Sequence, residues 1–137
     1  MHIVHTESSC GWGGQEIRVL TEAKGMEERG HRVTLVVPPQ AQIAAAAEKM
    51  GLTVVPLDIE RKNLGTLWRV IVWLWRERRA IDVINTHSST DSWLVALATQ
   101  LLPGAPPIVR TRHVSSPVNR SRASFWLYQK AARHIAV

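Results

Sequence analysis

Cysteine is nearly absent: Cys10 is the only one in 137 residues. That excludes a disulfide framework and any zinc site built on cysteine pairs, and it makes the cytoplasm the expected compartment. No apolar run approaches the roughly 20 residues of a membrane-spanning helix. The opening MHIVHTESSC lacks a basic start and a long apolar middle, so no secretory signal is expected there. The order Gly-Lys-Ser/Thr never occurs, which excludes a Walker phosphate loop. Acidic residues are scarce after residue 60. Residues 61–137 hold 3 Asp/Glu against 12 Lys/Arg, net +9, whereas residues 1–60 hold 8 against 5, net −3. A basic half either faces an anionic partner (nucleic acid, an acidic membrane, a phosphorylated substrate) or is solvated surface. Nucleic acid is the weakest of these, because no helix-turn-helix, zinc finger or aromatic strand platform is legible.

What is present is an alternation. The length suits about one domain, and 45% apolar against 20% charged residues suits a globular one. HIVHT reads as a buried strand, and residues 14–29 read as a helix with Val19, Leu20, Ala23 and Met26 on one face. RVTLVV, LTVVPL, IDVINTH and IVRTRH read as further strands. AQIAAAAEKM, LGTLWRVIVWLWRERR, DSWLVALATQLL and SFWLYQKAAR read as helices, and HIAV as a sixth strand. Thr90 or Ser89 is the expected cap before DSWLVALATQLL, with Asp91 in its first turn. Strands alternating with helices predict a doubly wound, mainly parallel, Rossmann-like α/β sheet with right-handed crossovers. No linker interrupts residues 1–137, so one domain is expected, and the stop inside a strand suggests a fragment of a longer protein.

The loop SSCGWGGQE joins the first strand to the first helix. Its free backbone N–H groups and the helix dipole suit an anion. It is not a dinucleotide fingerprint. Gly11 and Gly13 fit G-x-G-x-x-G, but Glu16 holds the third glycine position. Pro38 and Pro39 stand where a ribose-binding acid would end the second strand. A nicotinamide or flavin cofactor is therefore not expected. The simpler role for Gly13 and Gly14 is a tight turn with close packing.

These segments carry a resemblance. GWGGQEIRVLTEAKGMEERGHRVTLVV resembles the opening of family-4 glycosyltransferases of the GT-B fold, where a Gly-Gly-x-Glu loop starts the first helix and a Gly-His-x-Val turn enters the second strand. LWRVIVWLWRERRAIDVINTHSS is similar to the family's basic helix and its Asp-Val-hydrophobic-x-x-His strand, and PIVRTRH to its fifth strand, which ends in Thr-x-His. The resemblance implies the N-terminal, acceptor-side half of a two-domain retaining enzyme. The other half would bind the nucleotide sugar and carry Glu-x7-Glu. No metal or cofactor is implied. The pathway it suggests is bacterial envelope, lipopolysaccharide-type synthesis, on a cytoplasmic or peripheral inner-membrane protein.

Strand carboxyl ends are where ligands of such sheets bind, and His5, His87 and His113 fall at or near them. His113 matches the family histidine that reaches toward the reacting sugar. It is the catalytic candidate, by hydrogen bonding a hydroxyl or stabilising charge; the alternative is a histidine satisfied by nearby backbone. His87 and Ser88 match a polar strand end that can hold acceptor hydroxyls, and helix capping nearby competes for that region. His5 is expected to pack beneath the loop. Gly13, Gly14 and Arg18 would face the donor diphosphate, with Glu16 on the acceptor side; for Arg18 an exposed helix charge is the simpler account. Arg110 and Arg112 flank Thr111 and alternate onto one face, able to grip a phosphorylated acceptor. Arg120, Arg122 and Lys130 are interleaved with Phe125, Trp126 and Tyr128. That pattern suits an anionic membrane surface, or else the aromatics pack inward and the charges face water. Trp68 and Trp75, seven apart, share one helix face and are expected to be core. Cys10 is expected to be a small loop residue. A non-catalytic sugar- or partner-binding module and a nucleic-acid-binding domain are the competing readings.

Overall fold

The computed structural model describes residues 1–113 and 117–137. Six strands, β1 (His2–Thr6), β2 (Arg32–Val37), β3 (Thr53–Pro56), β4 (Val83–Thr86), β5 (Ile108–Arg112) and β6 (Arg133–Ala136), form one sheet in the order β3-β2-β1-β4-β5-β6. Every neighbouring pair is parallel. The connecting helices are α1 (Gly14–Glu28), α2 (Gln42–Lys49), α3 (Leu64–Glu77), α4 (Ser89–Leu101) and α5 (Arg122–Lys130). This is the doubly wound arrangement that the alternation predicts. HIAV contributes to β6, an exposed strand at one edge.

Strand alternation splits the core into two layers. Val33, Leu35 and Val37 of β2 pack with Val19, Leu20 and Ala23 of α1 and with Ile43, Ala44 and Ala47 of α2. Val36, between them in sequence, points the other way, with Val4, Ile84 and Ile108, into a layer made by Val70 and Leu74 of α3, Leu94 and Val95 of α4 and Leu127 of α5. β1 and β4 are the central neighbours, so the chain changes winding direction between them. The crevice above their carboxyl ends is the topological switch point.

The helix ends are chemically defined. Asn63 Oδ1 accepts from Thr66 N at 2.9 Å to start α3, and Ser121 Oγ accepts from Ser124 N at 3.1 Å to start α5. α1 and α2 close through Gly30 and Gly51, whose φ of 87° and 76° are left-handed. Gly30 N donates to Glu27 O and His31 N to Met26 O, and the same pair of bonds recurs at Gly51 and Leu52. At the amino end of the sheet His2 is a tie. Its Nδ1 meets Ala80 O and its Nε2 meets Thr34 Oγ1, each at 2.9 Å.

One expectation fails in this layer. Trp68 and Trp75 share a face of α3, but it is the outward one: they are 66% and 58% exposed. The core stripe of α3 is Thr66, Val70 and Leu74. Trp73, half-buried, packs against the core in their place. Trp93 is half-buried and stacks on Trp126 with centroids 5.7 Å apart.

Candidate functional site

β1 and β4 both end polar, and the polar ends are buried. Thr6, Glu7, Asn85, Thr86, His87 and Asp91 are all buried. Buried polar groups persist where they bond to one another, and here they form two linked sets.

The first set is a chain of three imidazoles. His5 Nδ1 lies 2.8 Å from His87 Nε2, and His87 Nδ1 lies 2.8 Å from His113 Nε2. The His5 and His87 rings stack at 12°, and those of His87 and His113 are tilted at 34°. Burial lowers the His5 pKa to about 4. Burial, reinforced by His5 and His113, holds His87 well below its ordinary value. Burial also lowers His113, less deeply placed at the end of β5. His5 therefore does more than pack beneath the loop.

The second set is a pair of carboxyls. Glu7, immediately after β1, accepts from Ser9 N at 2.9 Å, from Gln15 Nε2 and from Ser88 Oγ. Asp91 accepts from Ser88 N at 2.8 Å, His87 N at 3.0 Å and Thr6 Oγ1 at 2.5 Å. Asp91 and Ser88 form a reciprocal capping box on α4. The cap is thus Ser88, one or two positions before the expected Ser89 or Thr90. Burial, then the charge of Glu7, raises the Asp91 pKa to about 8. Burial is also the main force raising Glu7, against the three hydrogen bonds it accepts. Thr111 Oγ1 donates to Asn85 Oδ1 at 2.8 Å, which ties β5 into the same floor.

Above this floor lies a cavity of about 200 Å³ lined by Gln15, His87, Ser88, Arg110, Arg112 and His113, with Ser89 and Thr111 completing it. Five of the sequence-predicted site residues meet there. The Arg110 guanidinium lies over the Tyr128 ring at 4.5 Å, and its Nη1 is buried without a protein hydrogen-bond partner. A sequence profile for Glycosyltransferase Family 4 matches residues 12–137, nearly the whole chain. The chain belongs to glycosyltransferase family 4. No curated protein sequence matches it. Among solved structures, Acinetobacter baumannii MurG superposes with a TM-score of 0.72 at 15% identity, over 99% of this chain and 41% of MurG. Anabaena Alr3699/HepE in complex with UDP and glucose gives 0.73 at 16% identity, over 98% and 37%. The lipopolysaccharide outer core galactosyltransferase WaaB gives 0.67 at 14%, over 98% and 38%. At these identities the likeness is one of fold. This family-4 chain spans about two fifths of the length of each of these structures.

In the family-4 chain the remaining predicted residues scatter. Gly13 caps α1 and Gly14 begins it. Neither has a left-handed φ, a β-carbon on Gly14 would meet nothing within 4 Å, and one on Gly13 would sit 3.6 Å from Glu16 Oε2. The tight turn expected of them is therefore not what requires glycine. Glu16 is buried behind this loop, and Arg18 is exposed and pairs with Glu22 at 3.8 Å. Cys10 has its thiol pushed up by burial and by Glu60 and Asp58, so it is not an activated nucleophile. Arg120, just before α5, and Arg122 and Phe125 on it are exposed, while Trp126 is half-buried and Lys130 lies 5.5 Å from its ring. Arg120, Arg122 and Phe125 border a separate cavity of about 480 Å³, with Val118, Asn119, Ser121, Ser124 and Tyr128.

Sequence reasoning missed Glu7 and Gln15, and saw in Asp91 only a helix-start acid. A signal for Glu7 existed: it is the one acid between β1 and the glycine loop. Gln15 carried none. Among the described residues no group of three or more His, Cys, Asp or Glu is placed to hold a metal, and no helix is long and apolar enough to cross a membrane.

Proposed function

We propose that this chain is the acceptor-side domain of a retaining glycosyltransferase that moves a sugar from a nucleotide-sugar donor to a glycan or lipid-linked acceptor in bacterial envelope synthesis. The observation that carries the reading is the coincidence of the family match with a polar cavity at the switch point, rimmed by His113, Arg110 and Arg112. HepE was solved with UDP and glucose, and WaaB is a lipopolysaccharide galactosyltransferase, which supports the substrate class. His113 offers a neutral polar contact to a sugar hydroxyl. Arg110 and Arg112 offer charge to a phosphorylated acceptor, the Arg110 Nη1 being still unsatisfied. Gly13 and Gly14, which the fold itself does not require, let a diphosphate approach the exposed N–H groups of α1. The nucleotide sugar is a substrate in this reading, and no metal or cofactor takes part.

The membrane is the second part of the proposal, and it moves from α5 to α3. Leu64, Trp68 and Trp75 form a stripe on the outer face of α3, and Leu64 is 84% exposed. Residues 61–79 carry Arg61, Lys62, Arg69, Arg76, Arg78 and Arg79 against Glu77 alone. An apolar aromatic stripe flanked by cations suits an anionic bilayer surface. α5 offers Phe125 outward but commits Leu127 and much of Trp126 to the core.

The test is transfer assayed with the full-length protein, a panel of nucleotide sugars and envelope glycan acceptors. Product formation that His113→Ala abolishes is the expected result. Nucleotide-sugar binding with no turnover under any acceptor would instead mark a sugar-binding module.

A further inference from the structure

The three-histidine chain has a polarity, and it decides what His113 shows to a ligand. We infer that His5 and His87 are positioning residues that hold His113 as its Nδ1–H tautomer, so that the ring nitrogen His87 does not engage is a hydrogen-bond donor, not a lone pair. Two bonds link three rings and engage four of six ring nitrogens. The two left over are His5 Nε2, buried without any hydrogen-bond partner, and His113 Nδ1, which has none among the described residues.

A neutral imidazole carries one N–H and one lone pair, so the chain has only two neutral registers. In one, His5 Nδ1–H donates to His87 Nε2, His87 Nδ1–H donates to His113 Nε2, and His113 keeps its proton on Nδ1. In the other, every bond reverses, His5 carries its proton on Nε2, and His113 Nδ1 becomes a bare acceptor. The registers differ at the buried end. The first orphans a lone pair at His5 Nε2, and the second orphans an N–H in the same dry place. Buried N–H groups without partners are the rarer defect in folded proteins. On that ground the first register is assigned, against the Nε2–H preference of each free ring, and a group with no contact to the cavity sets the chemistry at its rim.

The alternative of a protonated chain is disfavoured, because burial lowers the pKa of all three rings. The surroundings do not reverse the order. Asp91 bonds the His87 backbone N, not its ring, and Thr111 bonds Asn85. The ligand this donor selects is one with an outward oxygen lone pair, such as a hydroxyl or phosphate oxygen. Only the identification of that oxygen with a substrate sugar rests on the transferase reading.

Long-range ¹H–¹⁵N correlation of the imidazole nitrogens tests the inference on the free protein, without any sugar donor. The six histidines are assigned by single substitutions, at a pH near 8 where the chain is neutral. Expected are a protonated Nδ1 and an unprotonated Nε2 at His113, with the same pattern at His87 and His5. His5→Phe keeps a ring in place but removes the donor. His113 should then lose its fixed tautomer and drift toward the Nε2–H form that free imidazole prefers. A wild-type His113 protonated on Nε2 overturns the inference outright. A folded His5→Phe variant whose His113 signals do not change overturns the role of His5. If His5→Phe fails to fold, the wild-type spectrum still decides between the two registers. Failure of the transfer assay leaves this result standing, and failure here leaves the transferase reading untouched.

Discussion

His113 stands at the carboxyl end of β5, with one ring nitrogen held by His87, and is among the residues that line the cavity. In the full-length enzyme, His113→Ala is expected to lower turnover by about 10²–10³, the usual worth of one polar contact made in the transition state. The melting temperature should scarcely move, since the residue is only half-buried. Near-normal turnover, or loss through unfolding alone, would remove the role. Gly14→Ala separates fold from function in the same way. With open space around it, the change should leave stability equal or raise it by up to ~1 kcal/mol. Nucleotide-sugar KM should nonetheless rise, and an unchanged KM would detach the loop from the donor.

The buried titrating groups give a pH signature with opposite signs. Asp91 has its folded pKa raised to about 8 from an ordinary 3.8, so the folded state binds the extra proton and stability falls as pH rises through that interval. His5 is lowered to about 4 from 6.5, so the folded state rejects the proton and stability falls as pH drops from 6.5 toward 4. Between about 4 and 6.5 the two oppose each other, and above 6.5 the carboxyls act alone. Thermal melts should therefore show a decline from pH 6.5 to 8 that Asp91→Asn flattens. An equal slope in the variant would clear Asp91 of that decline. At this scale the sequence showed which histidines end strands, because strand ends are set by local pattern. It did not show that three of them touch, nor that Glu7 and Asp91 share one floor, because those contacts join residues 26 to 85 positions apart through the sheet order.

Each helix shows what periodicity can and cannot say. The stripe of Val19, Leu20 and Ala23 on α1 was legible and is buried, because a single apolar face can point only one way on a two-layer sheet. α3 is apolar nearly all round, so the pattern did not reveal which aromatic faces inward. Packing chose Trp73 and left Trp68 and Trp75 outside. This choice has a measurable outcome. Trp68→Ala with Trp75→Ala should change stability by no more than about 0.5 kcal/mol each, as exposed positions do. It should cut binding to anionic vesicles well below that of Arg120→Glu with Arg122→Glu. Each cation near an acidic leaflet contributes about 1 kcal/mol, an attraction that fades with salt. Co-sedimentation with neutral and anionic vesicles measures both, and equal binding to the two lipids, or none, discards the surface.

For the molecule as a whole, the strand order was legible as a class and not as an arrangement. Alternating elements imply a parallel sheet, but the reversal between β1 and β4 is what gathers His5, Glu7, His87 and His113 above one crevice. Because the chain spans about two fifths of its structural relatives, and the proposal places the donor site on another domain, these 137 residues alone are expected to fold and to turn over no nucleotide sugar. Release of product by this chain unaided would defeat that division.

The sheet's two rims also differ in what they tolerate. The turn between α4 and β5 carries exposed Pro103 and Gly104, the latter with φ 70° and open space about its α-carbon. Five residues of β5 separate that side of the sheet from His113, roughly 17 Å at 3.3 Å per strand residue. A reporter peptide spliced after Gly104 would thus hang from the heel of the molecule, leaving the crevice free to be observed while it works.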